Sequence, residues 1–158
     1  MTESYSIRQG TITDAETIAR HRRQMFFDMG KQDLTVLDEM ARSFQPWLAD
    51  KISKREYLSW FAIAEDGSVA AGAGLWLMNW PPGLYTSEPW RGNILNVYTE
   101  HRHRRRGLAR RLVTTATQWC RANGIPIVVL HASDEGRPLY EALGFQPTNE
   151  LRLFLTGE

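Results

Sequence analysis

The chain has 158 residues, of which 42% are hydrophobic and 23% charged, and its formal net charge at pH 7 is +1. That size and balance describe one ordinary globular domain, residues 1–158, and exclude a disordered or fibrous chain. The single cysteine, Cys120, excludes an internal disulfide; no Cys/His pairs stand at metal-ligand spacing, and no apolar run approaches the ~18 residues that span a bilayer.

The opening residues MTESYSIRQG lack the apolar core of a secretory signal, so a cytoplasmic protein with no membrane partner and no metal is expected. Within them YSIRQG alternates as a short strand does. Thr13 and Glu16 have the spacing of a capping box. Ala15, Ile18, Ala19, Arg22, Met25, Phe26 and Met29 follow at steps of three and four, which predicts a helix that Gly30 closes. A second helix is predicted from Thr35 to Gln45, limited by Pro46. After a polar segment, two apolar runs between Tyr57 and Trp80 meet at Asp66-Gly67, a turn pair that predicts an antiparallel hairpin. Residues 81–92 are punctuated by proline and glycine and read as a loop. Beyond it come a strand NILNVYT (93–99), a helix 106–123 stopped at Gly124, a strand IPIVVLH (125–131), a short helix 136–143 stopped at Gly144 and an alternating strand ELRLFL (150–155). The order β-α-α-β-β-β-α-β-α-β predicts a mixed sheet with helices on its faces.

One stretch stands out chemically. HRHRRRGLARRL, residues 101–112, holds six arginines in a chain of net charge +1. A solvated helix face is one reading, with Leu108, Leu112, Ala116 and Trp119 or Cys120 turned inward. A nucleic-acid patch is a second, disfavoured because 18 acidic residues nearly balance 19 basic ones. The third accounts for the glycine. The stretch links a strand to a helix, and the first amides of a helix are donors without internal partners at the positive end of its dipole. Gly107 leaves that turn open to an anion, and Arg104, Arg105, Arg106 and Arg110 stand ready to add charge.

In these residues the chain resembles the GNAT superfamily, the acetyl-CoA-dependent N-acetyltransferases. Its motif Q/R-x-x-G-x-G/A is met by Arg104, Gly107 and Ala109, and a second signature, tyrosine then Gly-Phe after a short helix, is met by LYEALGF, residues 139–145. The resemblance implies a mixed, mostly antiparallel sheet with a splayed parallel strand pair and helices on both faces. It implies that the main chain of Arg104, Arg105, Arg106, Gly107, Leu108 and Ala109 holds the pyrophosphate of acetyl-CoA. The pantetheine arm would then lie along Val97, Tyr98 and Thr99. Tyr140 falls at the general-acid position, and Ser133 stands where many members have an asparagine toward the cofactor. Two residues compete for the role of base: Glu100, at the end of the strand before the cradle, and His131. A covalent acetyl-enzyme on Cys120 is not expected, because that residue falls late in its helix. The implied reaction is direct transfer of acetyl to an amine, small molecules being favoured as acceptors because Phe26, Phe27, Trp47, Trp76, Trp80, Tyr85 and Trp90, with Glu88, could enclose one. A homodimer is the assembly expected. The rival reading is an acyl-CoA-binding module without catalysis.

Overall fold

The computed structural model describes residues 3–157. Its elements are β1 (Ser6–Gln9), α1 (Ala15–Asp28), α2 (Leu34–Ser53), β2 (Tyr57–Ile63), β3 (Val69–Asn79), β4 (Trp90–Thr99), α3 (Leu108–Ala122), β5 (Val128–Leu130) and α4 (Arg137–Ala142). The strands form one sheet in the order β1-β2-β3-β4-β5; all neighbours are antiparallel except β4 and β5. This is the mixed, mostly antiparallel architecture expected, with a single parallel pair.

Both sheet faces are buried, for a reason visible in β2. Trp60, Ala62 and Ala64 point to one side, where Leu108, Leu112, Val113, Ala116 and Cys120 of α3 meet them. Tyr57 and Phe61 point to the other, against Ile18 and Ala19 of α1 and Phe44 and Leu48 of α2. A period of two on the strand thus meets a period of 3.6 on helices from both sides.

Several boundaries differ from expectation. The capping pair is Thr11 and Asp14, not Thr13 and Glu16: the Asp14 carboxylate accepts the Thr11 amide at 2.8 Å, and Thr11 Oγ1 accepts the Thr13 amide at 3.3 Å. One 3-10 turn, Ile12–Asp14, therefore precedes α1, and Arg8 fixes Asp14 further with two hydrogen bonds of 2.8 and 2.9 Å. Helix α2 does not stop at Pro46 but runs on to Ser53. Pro46 is exposed, while Leu48, two residues on, is fully buried. Packing of Phe44, Trp47 and Leu48 outweighs the lost backbone hydrogen bond. Pro46→Ala is accordingly expected to raise stability by about 1 to 2 kcal/mol, the helix-propensity gain less the added freedom of the unfolded chain, read as a higher urea midpoint at constant slope.

Strand β4 starts at Trp90, three residues before the predicted strand, because Trp90, Arg91 and Gly92 pair with Asn79, Met78 and Leu77. Helix α3 starts at Leu108, so Arg106 and Gly107 belong to the turn before it. Strand β5 is cut to three residues, and the strand expected at 150–155 does not form: that segment pairs with no strand among the described residues.

Candidate functional site

The parallel ladder between β4 and β5 holds only Gly92 to Val128, Asn93 to Val129 and Ile94 to Leu130. Past Ile94 the two strands part, and β4 continues alone on that side through Val97, Tyr98 and Thr99. On its other side β4 stays paired to β3 but carries one extra residue, since Gly72 faces Tyr98 while Gly74 faces Leu95. Asn96, in this bulge, takes φ 57. A bulge of this kind bends the strand and re-aims its amides, which places an irregular backbone at the mouth of the cleft between β4 and β5.

What pins the bulge is a buried polar chain. Asn96 donates to Tyr57 Oη at 2.9 Å and accepts from Arg22 Nη1 at 2.8 Å. Burial pushes Tyr57 up to about 12, so it stays a neutral phenol. Gly74 is required here, because a Cβ on it would stand 2.0 Å from Tyr57 Oη.

Beyond Thr99 the chain passes through a 3-10 turn, His101–His103, into α3. Arg105 and Gly107 both take left-handed backbone, φ 63 and φ 74. The amides of residues 105 to 110 donate to no acceptor among the described residues; the first helical bond is Arg111 N to Gly107 O at 3.1 Å. No side chain caps the helix. A Cβ built on Gly107 would meet nothing within 4 Å, so the space in front of these donors is open. Successive unpaired amides at the open N-terminus of a helix, beside two left-handed residues, are the features that an anion nest requires.

The arginines divide into two sets. Arg102 bonds Asp66 and Ser68 at 3.3 and 3.2 Å, Arg104 bonds Asp28 and the Thr99 carbonyl at 2.9 Å each, Arg106 bonds Glu3 and the Tyr5 hydroxyl, and Arg111 reaches the Tyr5 carbonyl at 3.4 Å. Of the six, Arg105 and Arg110 alone make neither an ion pair nor a side-chain hydrogen bond among the described residues, and both are exposed. Of the four side chains expected to meet an anion, Arg104 and Arg106 are therefore spent on bracing the turn. Their backbone remains part of the nest.

Glu100 sits where β4 ends and is held by α1: its Oε1 accepts from Arg20 Nη1 at 3.0 Å and lies 3.1 Å from His21 Nε2. Burial alone would raise its pKa, but the Arg20 guanidinium, with help from the His21 hydrogen bond, outweighs that and draws it below the usual carboxylate range. His21, not among the residues expected at the site, is 1% exposed. Burial pulls its pKa below the ordinary imidazole value despite the Glu100 charge, so it is neutral at pH 7. A Cβ on Gly72 would lie 3.2 Å from His21 Nδ1, so that nitrogen faces β3 beside the bulge. Its signal was only positional: His21 falls three residues after Ile18 on the inward stripe, and a polar residue there needs a partner.

Tyr140 lies in α4, packs edge-on to Phe145 with ring centres 6.0 Å apart, and joins Val97 against the same core. Burial raises its pKa. Ser133 Oγ accepts the Gly136 amide at 3.1 Å and so braces the turn that leads into α4. His131 is at the surface just past β5, 3.7 Å from Glu150. Cys120 is 1% exposed, and burial pushes its thiol up to about 11.

The aromatic residues fall into two groups. Trp47 and Trp76 meet edge to face with ring centres 5.3 Å apart, and Trp47 also meets Tyr57, whose hydroxyl holds Asn96. Trp80, Tyr85, Glu88 and Trp90 line a shallow cleft at the far end of β4. Six extended residues separate Trp90 from Asn96, about 20 Å. In the first group Arg22, which holds Asn96, lies over the rings of Phe26 and Phe44 at 5.0 and 4.8 Å. Among the described residues no three His, Cys, Asp or Glu side chains are placed to hold a metal, and no helix is long and apolar enough to cross a membrane.

Residues 16–145 match the acetyltransferase (GNAT) family. No curated protein matches the sequence. Among solved structures, a GCN5-related N-acetyltransferase from Ralstonia eutropha is 35% identical, with TM-score 0.91, over 98% of this chain and 100% of its own. A predicted acetyltransferase with acetyl-CoA from Clostridium acetobutylicum is 27% identical, TM-score 0.83, over 96% of this chain and 97% of its own. Glucosamine-6-phosphate N-acetyltransferase from Arabidopsis thaliana, 19% identical with TM-score 0.63 over 98% of this chain and 100% of its own, shares the fold.

Proposed function

The chain belongs to the GNAT acetyltransferase family, and from that premise we propose that it transfers the acetyl group of acetyl-CoA directly to the amine of a small molecule. The observation that carries this reading is the row of partnerless amides at residues 105 to 110 beside the open edge of β4. Pyrophosphate fits that nest in charge and in hydrogen-bonding sense, with Arg105 and Arg110 at its rim. The edge of β4 that β5 leaves free at Val97, Tyr98 and Thr99 would receive the amide-bearing pantetheine arm much as a strand receives a neighbour, the Thr99 carbonyl being already engaged by Arg104.

In the proposed reaction the amine nitrogen attacks the thioester carbonyl carbon. Negative charge then builds on the carbonyl oxygen, where an amide of the β4 bulge stabilises it. The C–S bond breaks as the C–N bond is completed. Tyr140 gives its proton to the departing thiolate. The proton of the amine goes to the pair formed by Glu100 and His21, in which Glu100 offers a carboxylate at the site and His21 orients it. Phe26 and Phe27 supply the apolar wall for the amine's carbon body. The family resemblance supports the cradle and Tyr140; the hydrogen bonds that hold Glu100 to Arg20 and His21 at the end of β4 support the role of Glu100.

A thiol-release assay with acetyl-CoA and a panel of amines tests this. Amine-dependent release of CoA is expected, and Tyr140→Phe is expected to lower kcat by about 10-fold, at the weak end of general-acid effects because burial makes Tyr140 a poorer acid. CoA binding with no amine-dependent thiol release would favour the binding-module reading, which the low pKa of Glu100 would suit.

A further inference from the structure

Arg22 is a cation without an anion. Its neighbours on α1, Arg20 and Arg23, pair with Glu100 and Asp38 at 3.0 and 2.9 Å. Arg22 makes no ion pair among the described residues, although burial is deep enough to lower its pKa. Its guanidinium lies instead over the rings of Phe26 and Phe44, 5.0 and 4.8 Å from their centres. Of its nitrogens, Nη1 donates to Asn96 at 2.8 Å, Nε is buried without a partner, and Nη2 bonds to nothing among the described residues.

Holding the bulge does not account for this arrangement. One neutral donor, such as a glutamine amide, would satisfy Asn96 Oδ1 without the cost of desolvating a charge. The aromatic faces offset part of that cost but leave the N–H groups of Nε and Nη2 unused. Those two groups lie on one edge of the guanidinium, the edge that takes a carboxylate side-on through two parallel hydrogen bonds. Protein carboxylates do not fill it, since Glu100, Asp28 and Asp38 are each held by other cations. Nor does the nucleotide: its diphosphate is proposed to lie at Gly107, beyond the far end of Val97, Tyr98 and Thr99.

We infer that the anion arrives with the acceptor: the amine acetylated here belongs to an α-amino acid with an apolar side chain, and Arg22 holds its carboxylate. This deepens the proposed acetyl transfer and rests on it. The spacing follows from the bulge. Arg22 is bonded to Asn96 itself, and the thioester carbonyl is proposed to meet an amide of that bulge. The carboxylate and the attacking nitrogen are therefore close neighbours in the acceptor, as they are when one carbon bears both. The acceptor's side chain then lies along Phe26, the half-buried ring that flanks the guanidinium. A cation that served only the thioester oxygen would act on every amine alike, whereas a carboxylate clamp favours only acceptors that carry one.

Two matched pairs test it, phenylalanine with phenethylamine and leucine with isoamylamine, each pair differing only in the carboxylate. In thiol release with acetyl-CoA, kcat/KM for the amino acid of at least one pair is expected to exceed that for its amine by about 100-fold, mainly through KM. Arg22→Gln, which keeps a donor for Asn96, should bring that ratio to about 1. Arg22→Lys should leave part of it, because the charge stays and the fork is lost. A wild-type ratio near 1 in both pairs overturns the inference. So does an equal fall for both members of a pair in Arg22→Gln, since Arg22 then only braces the bulge. Calorimetry on the CoA-loaded protein separates this inference from the reaction it rests on. Amino-acid binding that Arg22→Gln abolishes, without thiol release, would keep the clamp and remove the transfer; no amino-acid binding in the wild type would remove the clamp.

Discussion

Gly107→Val is expected to weaken CoA binding by about 100-fold, some 2.7 kcal/mol, as measured by calorimetry. Two effects combine. Valine is a β-branched residue in left-handed backbone, φ 74, which strains the turn by about 1 to 2 kcal/mol and turns amides away from their common focus. Its methyl groups also project into space that is open around Gly107, where the diphosphate is proposed to lie. Gly124→Val separates the two contributions. Gly124 has φ 72 and equally open surroundings, yet it closes the far end of α3. It should lower stability to a similar extent and leave CoA affinity unchanged. Equal affinity in both variants would remove the nest from the mechanism, since the strain they share would then account for everything observed.

Glu100→Gln is expected to lower kcat by about 10²-fold with little change in KM for acetyl-CoA, as its carboxylate serves the amine and not the nucleotide. The pH profile carries the sharper signature. Glu100 and His21 both have pKa values drawn below their ordinary ones, Glu100 by Arg20 and His21, and His21 by burial. Activity that needs the neutral imidazole is kept above the His21 pKa and is lost as pH falls through it, so the acid limb of the wild type lies below pH 6.5, the ordinary imidazole value. The Glu100 charge raises the His21 pKa. Its removal must move the acid limb of the residual activity to still lower pH. An acid limb that stays in place while kcat falls would separate His21 from the proton path, and an unchanged kcat would dismiss Glu100.

The helices and the hairpin were legible because each rests on local periodicity with punctuation: the stripe from Ile18 to Met29, the Asp66-Gly67 turn, and the run from Leu108 to Cys120. Pro46 misled because propensity is a local quantity, while Leu48 and Phe44 bury themselves against the sheet. ELRLFL misled for the opposite reason. Its alternation is that of a strand, but a ladder needs a neighbour, and none of the described residues supplies one. Trp80, Tyr85, Glu88 and Trp90 separated from the other aromatic candidates on distance, since a sequence does not say that Trp90 and Asn96 stand far apart along β4.

By itself the sequence determined the turn at Gly107 and its arginines, the tyrosine before Gly-Phe, and thereby the family, because these depend on spacing along a few residues. Only the tertiary structure decided how those arginines are used. It turned Arg104 and Arg106 onto Asp28 and Glu3 and left Arg105 and Arg110 outward. It also brought His21 to Glu100, 79 residues away, and tied Arg22 to the bulge at Asn96. Charge pairing and desolvation act through space, so they set the chemistry of a side chain only once α1 has been laid across the end of β4.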